Sequence, residues 1–128
     1  RYDIEARRYY EIYSHEDKNN PVRPFSVSCG GVLNNMIYYF GGEVDPSQNG
    51  HEGAGDFSNE VQMLDGITGK IMTTNKIAGN EKPLAPGWSD ATTVLDDNGN
   101  ENLISFGELS GNDEKPKRLN DIWILRKV

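Results

Sequence analysis

Three short segments, Tyr2-Asp3-Ile4, Leu64-Asp65-Gly66 and Leu125-Arg126-Lys127, recur at steps of 62 and 61 residues. Matching starts, Asn59-Glu60-Val61 and Asn120-Asp121-Ile122, precede the last two. Further upstream, Ile37-Tyr38-Tyr39-Phe40-Gly41-Gly42 aligns with Leu103-Ile104-Ser105-Phe106-Gly107-Glu108. Before these lie Ser26-Val27-Ser28-Cys29-Gly30-Gly31-Val32-Leu33 and Ser89-Asp90-Ala91-Thr92-Thr93-Val94-Leu95. A chain that repeats itself must fold into units that repeat, so this periodicity limits the architecture more than any single motif does.

The repeated segments read as strands. They are short, rich in Ile, Val, Tyr, Phe and Thr, and bounded by turn formers such as Asn34-Asn35 and Asp96-Asp97-Asn98-Gly99-Asn100. A fourth strand is expected over Lys70–Thr74, with a counterpart over Arg8–Ile12. No stretch carries a useful 3.6-residue apolar period, so helices are not expected. Four antiparallel strands at a fixed period are the signature of a propeller blade. The expected fold is therefore all-β, with about two four-stranded antiparallel blades of a larger ring. Residues 1–20 would be the last two strands of one blade, 21–80 a complete blade, and 81–128 three strands of a C-terminal blade. A free-standing sandwich of about nine strands is the alternative, although a sandwich does not require the period. Arg1 stands inside a strand-like pattern, which suggests that the natural chain starts further upstream.

Composition narrows the partners. The 128 residues carry a net charge of −7, which repels nucleic-acid phosphates and anionic membrane surfaces alike. No apolar run approaches the ~20 residues of a spanning helix. The single cysteine, Cys29, cannot form an internal disulfide and points to a reducing, cytoplasmic setting. It reads as a buried small hydrophobe on a small-residue strand. A monomer is the default, with a small molecule or another protein as partner.

The stretch Phe40-Gly41-Gly42-Glu43 to His51 carries the chemistry. Glu43, Asp45 and His51 lie in a connection, Glu43 to Ser58, that is long for a hairpin. A histidine with one or two carboxylates suits Fe(II) and leaves coordination positions open. The other reading is a shaped loop, turned by Pro46, Gly50, Gly53 and Gly55, in which Glu43 and His51 hydrogen-bond the backbone. His15 falls in a polar turn and reads as solvated. The run Gly111 to Arg118 reads as a solvated loop of mixed charge.

The repeat resembles the kelch motif, through Phe40-Gly41-Gly42, Asn59-Glu60-Val61 with Leu64-Asp65, and Tyr9 or Tyr10. The match covers nearly the whole chain. It departs at Glu108, where the second glycine is lost, and at Ile71, where the family usually has tryptophan. Kelch domains are β-propellers, usually of about five to seven blades. Within that group, Phe40-Gly41-Gly42-Glu43, His51, Gly53-Ala54-Gly55, Gly87-Trp88, Asn112-Asp113 and Arg118-Leu119-Asn120-Asp121 are similar to the C-terminal part of the kelch specifier proteins. Those are the epithiospecifier, nitrile-specifier and thiocyanate-forming proteins of glucosinolate breakdown. The resemblance implies Fe(II) and a role in directing breakdown of a thiohydroximate. The family's proposed iron ligands are Glu, Asp and His spaced four apart. Glu43 and His51 match that pattern, the middle position is Ser47, and Asp45 stands nearby. Metal candidates are thus Glu43, Asp45, Ser47 and His51. Two substrate-binding candidates join them. Trp88 could wall an apolar pocket, or pack between blades. Arg23 could hold an anionic group, or tie blades together through a carboxylate or carbonyls. Trp123 reads as packing between blade faces. The alternative function is a non-catalytic interaction or scaffold module.

Overall fold

Branched and aromatic side chains at alternate positions favour pleated, half-buried strands, and strands dominate here. The computed structural model describes residues 1–12, 14, 22–50, 55–74 and 84–126. Among these lie β1 (Tyr2–Asp3), β2 (Arg8–Tyr9), β3 (Cys29–Leu33), β4 (Met36–Phe40), β5 (Glu43–Asp45), β6 (Asp56–Phe57), β7 (Val61–Asp65), β8 (Ile71–Thr74), β9 (Asp90–Leu95), β10 (Glu101–Ser110) and β11 (Lys117–Arg126). No helix occurs among the described residues, and none there is long and apolar enough to cross a membrane. Every sheet is antiparallel. One sheet has four strands in the order β3-β4-β7-β8, another has three in the order β11-β10-β9, and β1-β2 and β5-β6 form two-stranded ribbons. The expected unit boundaries at 20/21 and 80/81 lie outside the described residues.

The repeat is visible in the register. Cys29, Phe40 and Val61 stand side by side across three strands, and so do Asp90, Phe106 and Ile122. Gly31, Tyr38 and Met63 correspond in the same way to Thr92, Ile104 and Ile124. The β3-β4 hairpin turns through Asn34 and Asn35, both at left-handed φ (51° and 62°), as a two-residue primed turn demands. The β9-β10 turn is organised by Asp96. Its Oδ1 accepts the Asn98 and Asn100 amides and its Oδ2 accepts the Asn100 side chain. These bonds, the Asn100 side chain first, hold its carboxyl below the usual aspartate range. Asp65 is held down likewise, first by the Ile67 amide and then by Thr68. The backbone amide of Asn34 donates to Glu101 Oε2 at 2.5 Å, which links the two hairpin turns.

The core lies where β9 and β10 cover β3. Cys29, Phe40 and Val61 form a buried cluster with Ala91 packed on it. Cys29 Sγ sits 3.5 Å from Ser105 Oγ, and Thr93 Oγ1 donates to the Val32 carbonyl at 2.5 Å. Cys29 is buried, as its small-residue strand suggests. At Gly31 an added Cβ would come within 2.5 Å of Leu103 Cδ1, so the absent side chain lets the sheets approach.

Several elements differ from the sequence expectation. The first strand of the first repeat is shorter than read: it starts at Cys29, just past Val27, whose φ is 50°. In the second repeat it starts at Asp90, one residue later than read, and Trp88 ahead of it has a φ of 56°. The strand expected over Arg8–Ile12 is only Arg8–Tyr9. In the second repeat the strand does not stop at Phe106-Gly107 but runs to Ser110, with a bulge between Phe106 and Glu108. Two successive left-handed glycines, Gly41 and Gly42, end β4, whereas Gly107 alone only bends β10. Trp123 is half-buried and its indole N–H bonds Asp121 Oδ2 at 2.5 Å.

Burial at equivalent positions gives a test. Leu33→Ala should cost roughly 2–5 kcal/mol, because Leu33 is fully buried. Val94→Ala, at the matching but exposed position, should stay within about 0.5 kcal/mol. Urea denaturation of both variants measures the contrast.

Candidate functional site

The Gly41-Gly42 turn starts the site. Gly41 sits at φ 68°, where a side chain is strained, and an added Cβ would also overlap the Pro86 carbonyl oxygen. Gly42 donates its amide to that same oxygen at 2.6 Å. The end of β4 is thereby pinned to the segment that leads into the second sheet. From Gly42 the chain enters the β5-β6 ribbon, and Glu43 exchanges backbone hydrogen bonds with Ser26 (2.8 and 3.0 Å). Gly87 and Leu109 make the equivalent exchange in the second repeat, at 2.8 Å each way. Val27 and Trp88 occupy matching positions beside these bridges, and the Trp88 amide donates to the Val27 carbonyl at 2.8 Å. A bulky residue at left-handed φ costs about 1–3 kcal/mol and persists only where its surroundings fix it, as this paired bond does.

The expected long loop is therefore partly regular. It folds back as a ribbon with Glu43 opposite Phe57 and Asp45 opposite Asp56. Each described candidate in it is engaged. Glu43 Oε1 accepts the Gly55 amide at 2.9 Å, so Glu43 holds the loop backbone. Asp45 Oδ2 pairs with Arg23 Nη2 at 3.2 Å, with both side chains more than half exposed. An exposed pair of this kind is worth about 0–1 kcal/mol. Ser47 Oγ lies 2.7 and 2.8 Å from the two carboxylate oxygens of Asp113, and it accepts the Asn49 amide at 2.9 Å. Trp88 is exposed beside this end of the sheets. His51 and His15 lie outside the described residues.

Asp113 belongs to the segment read as a solvated loop, and the structure brings it onto Ser47. The signal for it was in the repeat. Connections at equivalent places in neighbouring units emerge at the same end, so the loop after Phe40 and the loop after Phe106 had to be neighbours. Between them opens a cavity of about 250 Å³, lined by Asp45, Gln48, Asp56, Asn112, Asp113 and Glu114 among others. Its carboxylates give this end a negative potential, and Asp45 and Asp56 face each other across the ribbon as like charges. A second, larger cavity of about 710 Å³ lies at the other end of the strands, between Asn34, the Asp96 turn and Arg126.

A metal would need carboxylates turned to a common point. Among the described residues no group of three or more His, Cys, Asp or Glu is so placed. What these residues offer is Glu43 with one oxygen on Gly55 and Asp45 with one oxygen on Arg23. The Ser47 hydroxyl is committed to Asp113. No protein-family model matches the chain.

The Ser47–Asp113 bond joins loops of two different sheets. A double-mutant cycle of Ser47→Ala and Asp113→Ala should give a coupling of about 0.5–1.5 kcal/mol in urea unfolding. Strictly additive losses would mean that the two loops are independent.

Proposed function

We propose that this chain is part of a kelch-type β-propeller that serves as an interaction module, whose acidic loop end receives a basic segment of a partner protein. The observation that carries this reading is the cavity between the two loops. Four carboxylates, those of Asp45, Asp56, Asp113 and Glu114, line it. Like charges opposite each other on a ribbon are destabilising, and a lysine or arginine entering from a partner would relieve them. The bonds of Glu43 to Gly55 and of Ser47 to Asp113 hold the loops in place before binding, which lowers the ordering entropy that association must overcome. The propeller assignment is supported by two sheets of one register pattern, each entered through an equivalent kink at Val27 and Trp88.

The test is binding of a lysine-rich peptide, measured by titration calorimetry at low and high salt. Binding should weaken as salt rises, and Asp56→Asn combined with Asp113→Asn should weaken it about tenfold or more. Equal affinity in the double variant would reject the loop end as the site.

A second reading follows the specifier resemblance, and the arrangement of one ribbon favours it. Glu43 and Asp45 stand on β5, and the connection carrying His51 closes the same ribbon at Gly55. In this reading Fe(II) is held by Glu43, Asp45 and His51, with Trp88 walling the substrate side. Bound iron would supply a Lewis-acidic partner for the sulfur of a thiohydroximate. Arg23 would orient Asp45 instead of gripping a sulfate, since its guanidinium already bonds that carboxylate. Anaerobic Fe(II) titration separates the two readings. The interaction module predicts no stoichiometric binding that depends on His51. Stoichiometric binding abolished by His51→Ala would decide for the iron reading.

A further inference from the structure

The chain holds two Asn-Gly pairs, Asn49-Gly50 and Asn98-Gly99, and both sit in the same kind of turn. Gly50 donates its amide to the Ser47 carbonyl at 3.2 Å, and Gly99 donates to the Asp96 carbonyl at 2.9 Å. Both glycines are left-handed, with φ of 62° and 79°, and both stand in open space. Each asparagine amide is held by the side chain two residues earlier, Asn49 by Ser47 Oγ and Asn98 by Asp96 Oδ1, at 2.9 Å each. All of these asparagines and glycines are exposed.

An asparagine followed by glycine can react with its own backbone. The glycine nitrogen attacks the asparagine Cγ, the Cγ–N bond forms, the Cγ–Nδ2 bond breaks, and ammonia leaves. Water then opens the cyclic imide at either carbonyl and gives aspartate or isoaspartate. Water enters, ammonia departs, and no electrons are exchanged. Glycine has no side chain to shield the attacking nitrogen. In a folded chain that nitrogen must first leave its hydrogen bond and the peptide must rotate, so the rate follows the opening of the turn.

The two turns differ in what holds them closed. At Asn98 the strand ladder begins at once, with Leu95 paired to Glu101, and Asp96 donates its amide to the Asn100 carbonyl at 2.9 Å. The Asp96 carboxylate also accepts the Asn100 amide and side chain, at 2.8 and 3.0 Å. Opening this turn breaks the end of a hairpin. At Asn49 the nearest ribbon pair is Asp45 with Asp56. Among the described residues, the turn there is held by the longer Gly50 bond and by the Ser47 hydroxyl.

We propose that Asn49 is a self-modification site, which deamidates to aspartate or isoaspartate while Asn98, in the same dipeptide, is retained. Asn49 follows Gln48, which lines the acidic cavity, so each conversion adds a negative charge at that rim. The modified chain should then hold a lysine-rich peptide about two- to fivefold more tightly at low salt. This consequence rests on the basic-partner reading above; the reaction itself does not.

Incubation of the full chain at mildly alkaline pH, followed by peptide mapping with mass spectrometry, reads the conversion at each asparagine. Asn49 should convert about tenfold or more faster than Asn98. In urea, where both turns are open, the two rates should agree within about twofold. Asp96→Ala should speed conversion of Asn98 at least about fivefold, with far-UV circular dichroism checking that the variant stays folded. Native rates that are equal at the two sites overturn the proposal. So does an Asn49 that stays intact in the native chain while it converts in urea. Titration calorimetry of Asn49→Asp against the lysine-rich peptide tests the consequence. Binding by wild type that this variant does not tighten overturns the charge effect. Binding by neither rejects the basic-partner reading and leaves the reaction at Asn49 standing on the mapping result.

Discussion

The close approach of β3 to β9 and β10 is the contact on which the rest of the structure depends. Cys29 and Gly31 leave the covered face of the edge strand β3 with almost no side-chain height at those positions. Leu103, Thr93 and Ser105 fill that space directly. Without this contact the two sheets would share few bonds, since the remaining links lie at their ends. Those end links are the bond from Asn34 to Glu101 at one pole and the Gly42–Pro86 and Trp88–Val27 bonds at the other. They set the relative placement of the loops. The candidate site therefore rests on packing some distance from its own carboxylates.

Electrostatics at the loop end follow from that placement. A net charge of −7 is spread over the chain, but the two neighbouring loops concentrate carboxylates around one opening. Internal partners offset part of the repulsion: Arg23 for Asp45, the Ser47 hydroxyl for Asp113, and the Gly55 amide for Glu43. Each of these is a bond to the loop's own surroundings, so the same groups that shape the surface also make it acidic.

Strand positions were the most legible feature, because alternation and turn residues act locally and the repeat supplied each segment twice. The all-β class and the antiparallel pairing follow from those signals alone. Strand ends were less legible. Val27 and Trp88 break their strands through backbone conformation, which neither residue type favours, and tertiary bonds impose it. The length of β10 turned on a single position: Glu108 in place of a second glycine makes a bulge where Gly41-Gly42 makes a break. In the site, Arg23 pairs with Asp45, a carboxylate of its own repeat, so this bond ties no second repeat to the first. Asp113 and Asp56 were missed, because a charged residue in a polar run looks solvated until its neighbour across the sheet interface is known.

Two sheets of one register, stacked so that a strand with small residues at Cys29 and Gly31 lies under the next repeat, form the central claim. The most direct test compares Gly31→Val with Thr92→Val by chemical denaturation. Gly31 faces buried Leu103, while Thr92 is its register equivalent on the exposed face. The account predicts a loss of about 1–3 kcal/mol for Gly31→Val, since Leu103 has no room to move away, and almost none for Thr92→Val. Equal stability of the two variants would contradict direct contact between the sheets.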